Sequence, residues 1–94
     1  MLKVKLSKEV MINGKKTKEV GLNVESLTGA DFIQAERQAR AMGDNSPQAF
    51  LSSQFHAIIA SKLIGVPVEE LESWPINDFA RVAANVQNFL FNAG

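Results

Sequence analysis

Apolar residues occupy every second position in two N-terminal runs, residues 2–6 and 20–24. Such period-two alternation is typical of a half-buried β-strand. Between the two runs, Asn13-Gly14 is the strongest short signal for a hairpin turn. Residues 1–24 are therefore predicted to form a two-stranded antiparallel β-hairpin.

The register of this hairpin depends on keeping both apolar runs on one face. A two-residue Asn13-Gly14 loop would pair Val4 with Asn23 and turn the two apolar rows to opposite faces. A three-residue loop from Ile12 to Gly14, with Gly14 in the left-handed conformation, avoids this conflict. The pairs predicted by that loop are Leu6 with Val20, Val4 with Leu22, and Leu2 with Val24.

The remainder of the chain has apolar residues at helical spacing, punctuated by helix starts and stops. The predicted starts are Thr28, Ser46-Pro47 and Pro75, and glycines stop the first two helices. Helices are predicted over 28–42, 46–64 and 75–91, with a short helical turn over 67–73. We therefore expect one domain, 1–94, with an α+β fold: the two-stranded hairpin, then a small bundle of three main helices plus one short helical turn.

The last predicted helix is apolar on more than one side, which suggests a surface for a partner. One stripe consists of Ile76, Phe79, Ala80, Ala83, Val86 and Leu90. Val82, Phe89 and Phe91 lie off that stripe, and a lone two-stranded sheet leaves its outer edges unpaired. The predicted partner-binding residues are Val82, Phe89, Leu90 and Phe91 in this helix and Val10 and Ile12 in the hairpin.

Charge is unevenly distributed, although the formal net charge is zero. Residues 1–24 carry six lysines and two glutamates, a net charge of +4, and residues 25–94 carry −4. A small DNA-binding regulator would need a basic recognition helix, whereas the cations of the predicted helices are interspersed with acids. No run approaches the roughly 20 apolar residues of a membrane span. We therefore expect no membrane partner and disfavour nucleic acid as a partner, and a small DNA-binding regulator stays an alternative function.

The residues needed for catalysis or metal binding are missing. There is no cysteine, and His56 is the only histidine, which matches no metal-ligand spacing. Ser52 precedes His56 by one helical turn, but no motif supplies an orienting carboxylate or an oxyanion hole. Glu69, Glu70 and Glu72 lack the Asp/Asn/Gly pattern of a calcium loop. The sequence predicts a protein that is not an enzyme and that uses no metal and no cofactor.

Three segments, in this order and spacing, carry a family resemblance. They read NGKKTKEVGLNVESLTGADFIQAE, IIASKLIGVPVEEL and INDFARVAANVQNFL. This order resembles the small tail assembly chaperones of tailed bacteriophages and prophages, in the Mu-like and related long-tailed groups, over nearly the whole chain. The chain departs from the common pattern at Trp74-Pro75 and in the longer polar stretch 44–48.

The resemblance implies a non-enzymatic role in viral morphogenesis. Such a chaperone would bind the tape measure protein in the host bacterial cytoplasm and help recruit tail tube protein around it. It would be absent from the mature virion. The unpaired strand edges and the apolar last helix separately suggest a homo-oligomer. The alternative within the same setting is a structural tail completion or connector subunit, which would remain in the particle.

Overall fold

A hairpin followed by helices forms the computed structural model of this chain, which describes residues 2–48 and 51–92. The elements are β1 (Leu2–Ile12), β2 (Lys15–Leu22), a 3-10 turn (Val24–Ser26), α1 (Gly29–Ala41), α2 (Ser53–Ile64), α3 (Val68–Glu72) and α4 (Ile76–Asn92). The two strands pair antiparallel in one sheet. The predicted α+β fold, a two-stranded sheet followed by three main helices and a short one, is confirmed.

The hairpin turn has a two-residue loop. The predicted three-residue loop is therefore wrong. Ile12 pairs with Lys15, so the loop consists of Asn13 and Gly14 alone. Both have positive φ, 50° and 81°, as a two-residue type I′ hairpin turn requires. Gly14 is left-handed as expected.

An irregularity within β1 replaces the longer loop. The observed pairs include Leu2–Leu22, Val4–Val20, Lys5–Glu19, Val10–Thr17 and Ile12–Lys15. Residues 6–9 of β1 therefore lie opposite Lys18 alone, and the predicted pairs at the open end of the hairpin are wrong by two residues. Despite this irregularity, the apolar residues of both strands pack in or against the core: Leu2, Val4, Leu6, Val10, Ile12, Val20 and Leu22.

The first helix begins with the side-chain cap that the sequence indicates. The carboxylate of Asp31 accepts hydrogen bonds from the backbone N–H of Thr28 at 2.9 Å and from its hydroxyl at 3.2 Å. This is the reciprocal half of a capping box, made with an aspartate in place of the usual glutamate. It fixes the first turn of α1.

The central helix begins later than predicted, at Ser53 instead of residue 46. Ser46 does not cap it, because its N–H and its hydroxyl donate to Oδ1 of Asp44 at 2.9 and 2.6 Å. The cap is Ser52, whose Oγ accepts from the N–H of Phe55 at 3.1 Å. Residues 49 and 50, which the prediction placed in this helix, lie outside the described residues. Gly65 ends α2 with a φ of 86°, as its glycine stop predicts.

The core is built around α2, whose residues 55–61 are all buried. This helix contacts α1, α3, α4 and β2, while β1 contacts α4. The hairpin therefore packs its apolar face on the helices of its own chain. Trp74 is buried in this core. No helix of the described residues is long and apolar enough to cross a membrane.

The buried face of α4 is rotated from the predicted stripe. Asp78, Val82 and Val86 recur every four residues and are 0%, 2% and 1% exposed, whereas Ile76 is 86% exposed. Val82 therefore belongs to the core of the folded chain, and its predicted role in partner binding stays a prediction. The physical cause is the carboxylate of Asp78, which is bonded to the hairpin and turns this side of the helix inward.

Candidate functional site

An apolar groove opens between the start of α1 and the ends of α2 and α4. It has a volume of about 500 Å³. The residues that line it are Val24, Leu27, Thr28, Gly29, Phe32, Ile33, Ile59, Leu63, Phe89 and Leu90. We refer to these residues as the α1/α2/α4 groove. Its size falls in the range of pockets that enclose a ligand or several side chains of a partner.

Local contacts hold the walls of the groove in place. Leu27 and Phe32 flank the Thr28 cap at the spacing of a hydrophobic staple, and both pack against the core. The ring of Phe32 meets the ring of Phe55 edge to face, with centroids 4.8 Å apart and an interplanar angle of 80°. Such edge-to-face pairs are favoured by the ring quadrupoles. The floor of the groove is therefore pre-formed.

None of the described residues that line the groove is charged, and the polar groups among them are the Thr28 hydroxyl and backbone atoms. The nearest carboxylate along α1, Asp31, already accepts two hydrogen bonds from Thr28. Ile33 stands at the rim with 52% of its surface exposed. Binding here would come from burial of apolar surface, which suits the apolar face of an amphipathic helix.

Two of the predicted partner-binding residues lie in this groove and four do not. Phe89 and Leu90 line it. Phe91 is 45% exposed beyond them. Val10 is buried in the hairpin, and Ile12 is half-buried against the core. The structure thus separates the helix end, which has an open apolar surface, from the hairpin positions, which face inward.

Sequence reasoning missed most of the other groove residues. Ile33, Ile59 and Leu63 come from two different helices, and only the packing of α1 on α2 brings them together. The one local signal in the sequence is the spacing of Leu27 and Phe32 around Thr28, which is that of a hydrophobic staple. This spacing indicates how α1 begins, but it does not show that the surface beside it is open.

Ser52 and His56 have structural roles, in capping a helix and in packing the core, and this is the interpretation that the sequence favours. Ser52 caps α2, where its hydroxyl oxygen accepts a hydrogen bond from the N–H of Phe55. Hydrogen bonds from Ser46 and then Ser52 lower the pKa of Asp44 to about 2. His56 is buried in the core beside the Phe55 ring. In the part of the chain that the structure describes, no three His, Cys, Asp or Glu residues are grouped as a metal site would need.

A polar joint connects the start of α4 to the irregular part of β1. The N–H and hydroxyl of Ser7 donate to the two carboxylate oxygens of Asp78 at 2.7 and 3.0 Å. Nη1 of Arg81 donates to the carbonyl of Lys5 at 2.9 Å. The bond from the Ser7 backbone is the largest cause that lowers the pKa of Asp78, with help from the N–H of Lys8, while burial opposes it. The carboxylate is held ionised inside the protein because its bonds favour the charged form.

Comparison with protein families gives a match over nearly the whole chain. The family described as "Phage tail assembly chaperone proteins, E, or 41 or 14" has a profile that matches residues 3–90. No curated protein and no solved structure matches the chain significantly.

Proposed function

This chain belongs to the family of phage tail assembly chaperones, and on that premise we propose that it binds the tape measure protein and promotes assembly of the tail tube around it. The role is non-enzymatic. The observation that carries the proposal is the α1/α2/α4 groove, an open apolar surface of about 500 Å³ whose lining, as far as the structure describes it, carries no charge. A long helical client would expose apolar side chains before the tube encloses it, and such a groove could cover them.

The geometry supports a helical segment as the bound form of the client. The groove is flanked by the first turn of α1 and the last turns of α2 and α4, so its walls are helices. An amphipathic helix places apolar residues at i, i+3, i+4 and i+7 on one side, and such anchors fit between flanking helices. The apolar side of the client helix would pack against Phe89 and Leu90, and Ile33 and Phe91 would contact it at the edge of the groove.

Self-association is part of the proposal. Ile76 projects from the start of α4 with 86% of its surface exposed. It borders a shallow cavity of about 280 Å³ together with Glu72, Trp74 and Phe79. A second copy that covered this isoleucine would remove apolar surface from water. Sedimentation velocity of the purified chain should show an oligomer that Ile76→Asp dissociates, and a monomer at all concentrations would contradict this part.

The proposed site of action is the cytoplasm of the host bacterium, with release before the virion is complete. Mass spectrometry of purified particles distinguishes this role from that of a tail completion or connector subunit. We expect the tape measure and tube proteins in the particles, and this chain absent. Its presence at a fixed copy number per tail would favour the structural role.

Co-expression tests the proposed function itself. The tape measure protein should be recovered in the soluble fraction when it is made together with this chain, and in the pellet when it is made alone. The two proteins should also elute together in size-exclusion chromatography. Equal solubility of the client with and without the chain would overturn the proposal.

A further inference from the structure

Ile76, at the start of α4, is the most exposed large apolar residue in the described part of the chain, with 86% of its surface in solvent. It borders the shallow cavity that Glu72, Trp74 and Phe79 also line. Covering this isoleucine would remove apolar surface from water, which is favourable. The chemistry of the residues around Ile76 indicates what kind of surface can cover it.

The surroundings of Ile76 are acidic. Residues 63–80 contain four acidic residues and neither lysine nor arginine. Asp78 is already bonded to the hairpin, whereas Glu69 and Glu72 are exposed and lie three residues apart on one face of α3. We refer to Glu69, Glu72 and Ile76 as the α3/α4 patch. A surface that covers it should be apolar where it meets Ile76 and basic beside that point.

The tip of the hairpin has this composition. Met11 is 51% exposed and lies on the face of β1 opposite its buried neighbour Val10, because successive side chains of a strand alternate between faces. Lys16 pairs with Met11 across the hairpin, and Lys18 follows two residues later on β2. Both lysines are exposed, and in residues 8–19 four lysines outnumber two glutamates. We refer to Met11, Lys16 and Lys18 as the hairpin-tip patch.

Neither patch is covered within its own chain. Among residues 2–48 and 51–92, the side chains of Lys16, Lys18 and Glu72 take part in no hydrogen bond or ion pair. The exposure of Met11 and Ile76 shows that the two patches of one copy do not cover each other. Like patches of two copies would repel, whereas unlike patches attract. Because the formal net charge of the chain is zero, no overall repulsion between copies opposes this contact.

We propose that the hairpin-tip patch of one copy binds the α3/α4 patch of a second copy, with Met11 against Ile76 and the lysines beside the glutamates. This inference rests on the self-association proposed above, and it names the surface of the second copy that covers Ile76. Because the two surfaces differ, the contact is made twice in a two-fold pair or repeats from copy to copy. Neither patch shares a residue with the α1/α2/α4 groove, so the groove stays open to the client.

Charge reversal of one residue in each patch tests this contact in the full chain. Lys16→Glu and Glu72→Lys each bring like charges together, so each variant alone should associate about tenfold more weakly than the wild type in sedimentation velocity. In an equal mixture of the two variants, positions 16 and 72 of unlike copies again carry opposite charges. Association of the mixture should therefore return to within about threefold of the wild type.

A second lysine of the hairpin supplies the matched control. Lys3 is exposed and pairs with Gly21 at the open end of the hairpin, outside the hairpin-tip patch. Lys3→Glu changes the net charge as much as Lys16→Glu does, but it should leave association unchanged. Higher salt should weaken association of the wild type, because the contact is partly electrostatic. Melting curves check that each variant is folded.

The apolar centre of the contact has its own variant. Met11→Asp puts a carboxylate against the apolar and acidic α3/α4 patch of the second copy, so it should dissociate the oligomer as Ile76→Asp does. Met11 is half-exposed on the solvent face of the hairpin, so the fold should tolerate this change. Association of Met11→Asp equal to that of the wild type would contradict the contact.

The remaining outcomes separate this contact from the proposals on which it rests. A wild-type chain that stays monomeric up to millimolar concentration at low salt would overturn both the contact and self-association. An oligomer that Ile76→Asp dissociates and Lys16→Glu does not would overturn the contact alone, as would equal effects of Lys3→Glu and Lys16→Glu or a mixture that stays dissociated. Solubility of the co-expressed tape measure protein tests the client role separately.

Discussion

The backbone N–H of Ser7 donates a 2.7 Å hydrogen bond to Oδ1 of Asp78, which joins the irregular part of β1 to the first turn of α4 across 71 residues of sequence. This one carboxylate accounts for two departures from the sequence prediction. It satisfies backbone groups that the irregular strand cannot pair with β2. It also turns the face of α4 that carries Val82 and Val86 toward the core.

Replacing Asp78 with asparagine should destabilise the fold. The amide would turn its NH₂ group toward a donor, either the Ser7 hydroxyl or the backbone at residues 7–8, so at least one partly buried hydrogen bond would be lost. We expect the melting temperature to fall by about 5–10 °C. Glu72→Gln, which neutralises an exposed carboxylate on α3, is the matched control and should change it little. Equal melting temperatures for both variants would contradict the role of Asp78.

Acid should destabilise the protein through Asp78 and Asp44. Both have a folded-state pKa below the ordinary value of 3.8, and that of Asp44 is about 2. The unfolded chain therefore binds more protons than the folded chain as the pH falls below about 4. The stabilisation is fully present above that pH and is lost on acidification toward pH 2.

Urea unfolding at pH 7, 5, 4 and 3 measures this dependence. The free energy of unfolding of the wild type should fall between pH 5 and pH 3, and that of Asp78→Asn should fall less steeply. Asp44→Asn should reduce the slope as well, because Ser46 and Ser52 stabilise its charged form. Identical slopes in all three proteins would show that these carboxylates do not control acid stability.

The rotation of α4 predicts opposite results at two apolar positions of that helix. Val82→Ala would leave a cavity among buried side chains and should lower the free energy of unfolding by about 2 kcal/mol. Ile76→Ala removes a side chain that is almost fully exposed and should change it by less than about 0.5 kcal/mol. A larger loss of unfolding free energy for Ile76→Ala than for Val82→Ala would show that α4 buries the stripe predicted from the sequence instead.

A substitution in the hairpin turn tests backbone conformation alone, because the added side chain would make no contacts. A Cβ added to Gly14 or to Gly29 would meet no atom within 4 Å, but only Gly14 has a positive φ, 81°. Gly14→Ala should therefore cost about 1–2 kcal/mol, the penalty of the left-handed conformation for other residues. Gly29→Ala, in the first turn of α1, should cause no loss. Similar free energies of unfolding for both variants would argue against the two-residue turn.

Local signals explain why the elements could be predicted. Asn13-Gly14 marks the turn, Thr28 and Asp31 mark the start of α1, and Gly65 ends α2, each through interactions within a few residues. The short range of these interactions makes them visible in sequence. The family resemblance rests on the same turn and helix-boundary residues, and it is confirmed by the match over residues 3–90.

Long-range contacts explain what could not be predicted. The register of the hairpin depends on an irregularity that Asp78 stabilises from the far end of the chain, and no local pattern records that bond. The start of α2 was misplaced because Ser46 and Ser52 are both good caps, and Asp44 engages Ser46. The groove was missed for the same reason, because Ile33 and Leu63 become neighbours only in the folded chain.

The central claim is that the α1/α2/α4 groove binds the tape measure protein, and a pair of α1 variants tests it most directly. Ile33→Asp puts a carboxylate at the rim of the groove, where 52% of the isoleucine is exposed, so the fold should tolerate it. Gln38→Asp adds the same charge at another exposed position of α1, away from the groove lining. Co-expression with the tape measure protein, followed by measurement of the soluble client, compares the two.

We predict that Ile33→Asp lowers the yield of soluble tape measure protein at least about tenfold, because a charge would have to be buried against apolar client side chains. Gln38→Asp should match the wild type, and melting curves should show both variants folded. If the folded Ile33→Asp protein keeps the tape measure protein as soluble as the wild type does, the groove is not the client site and the account is contradicted.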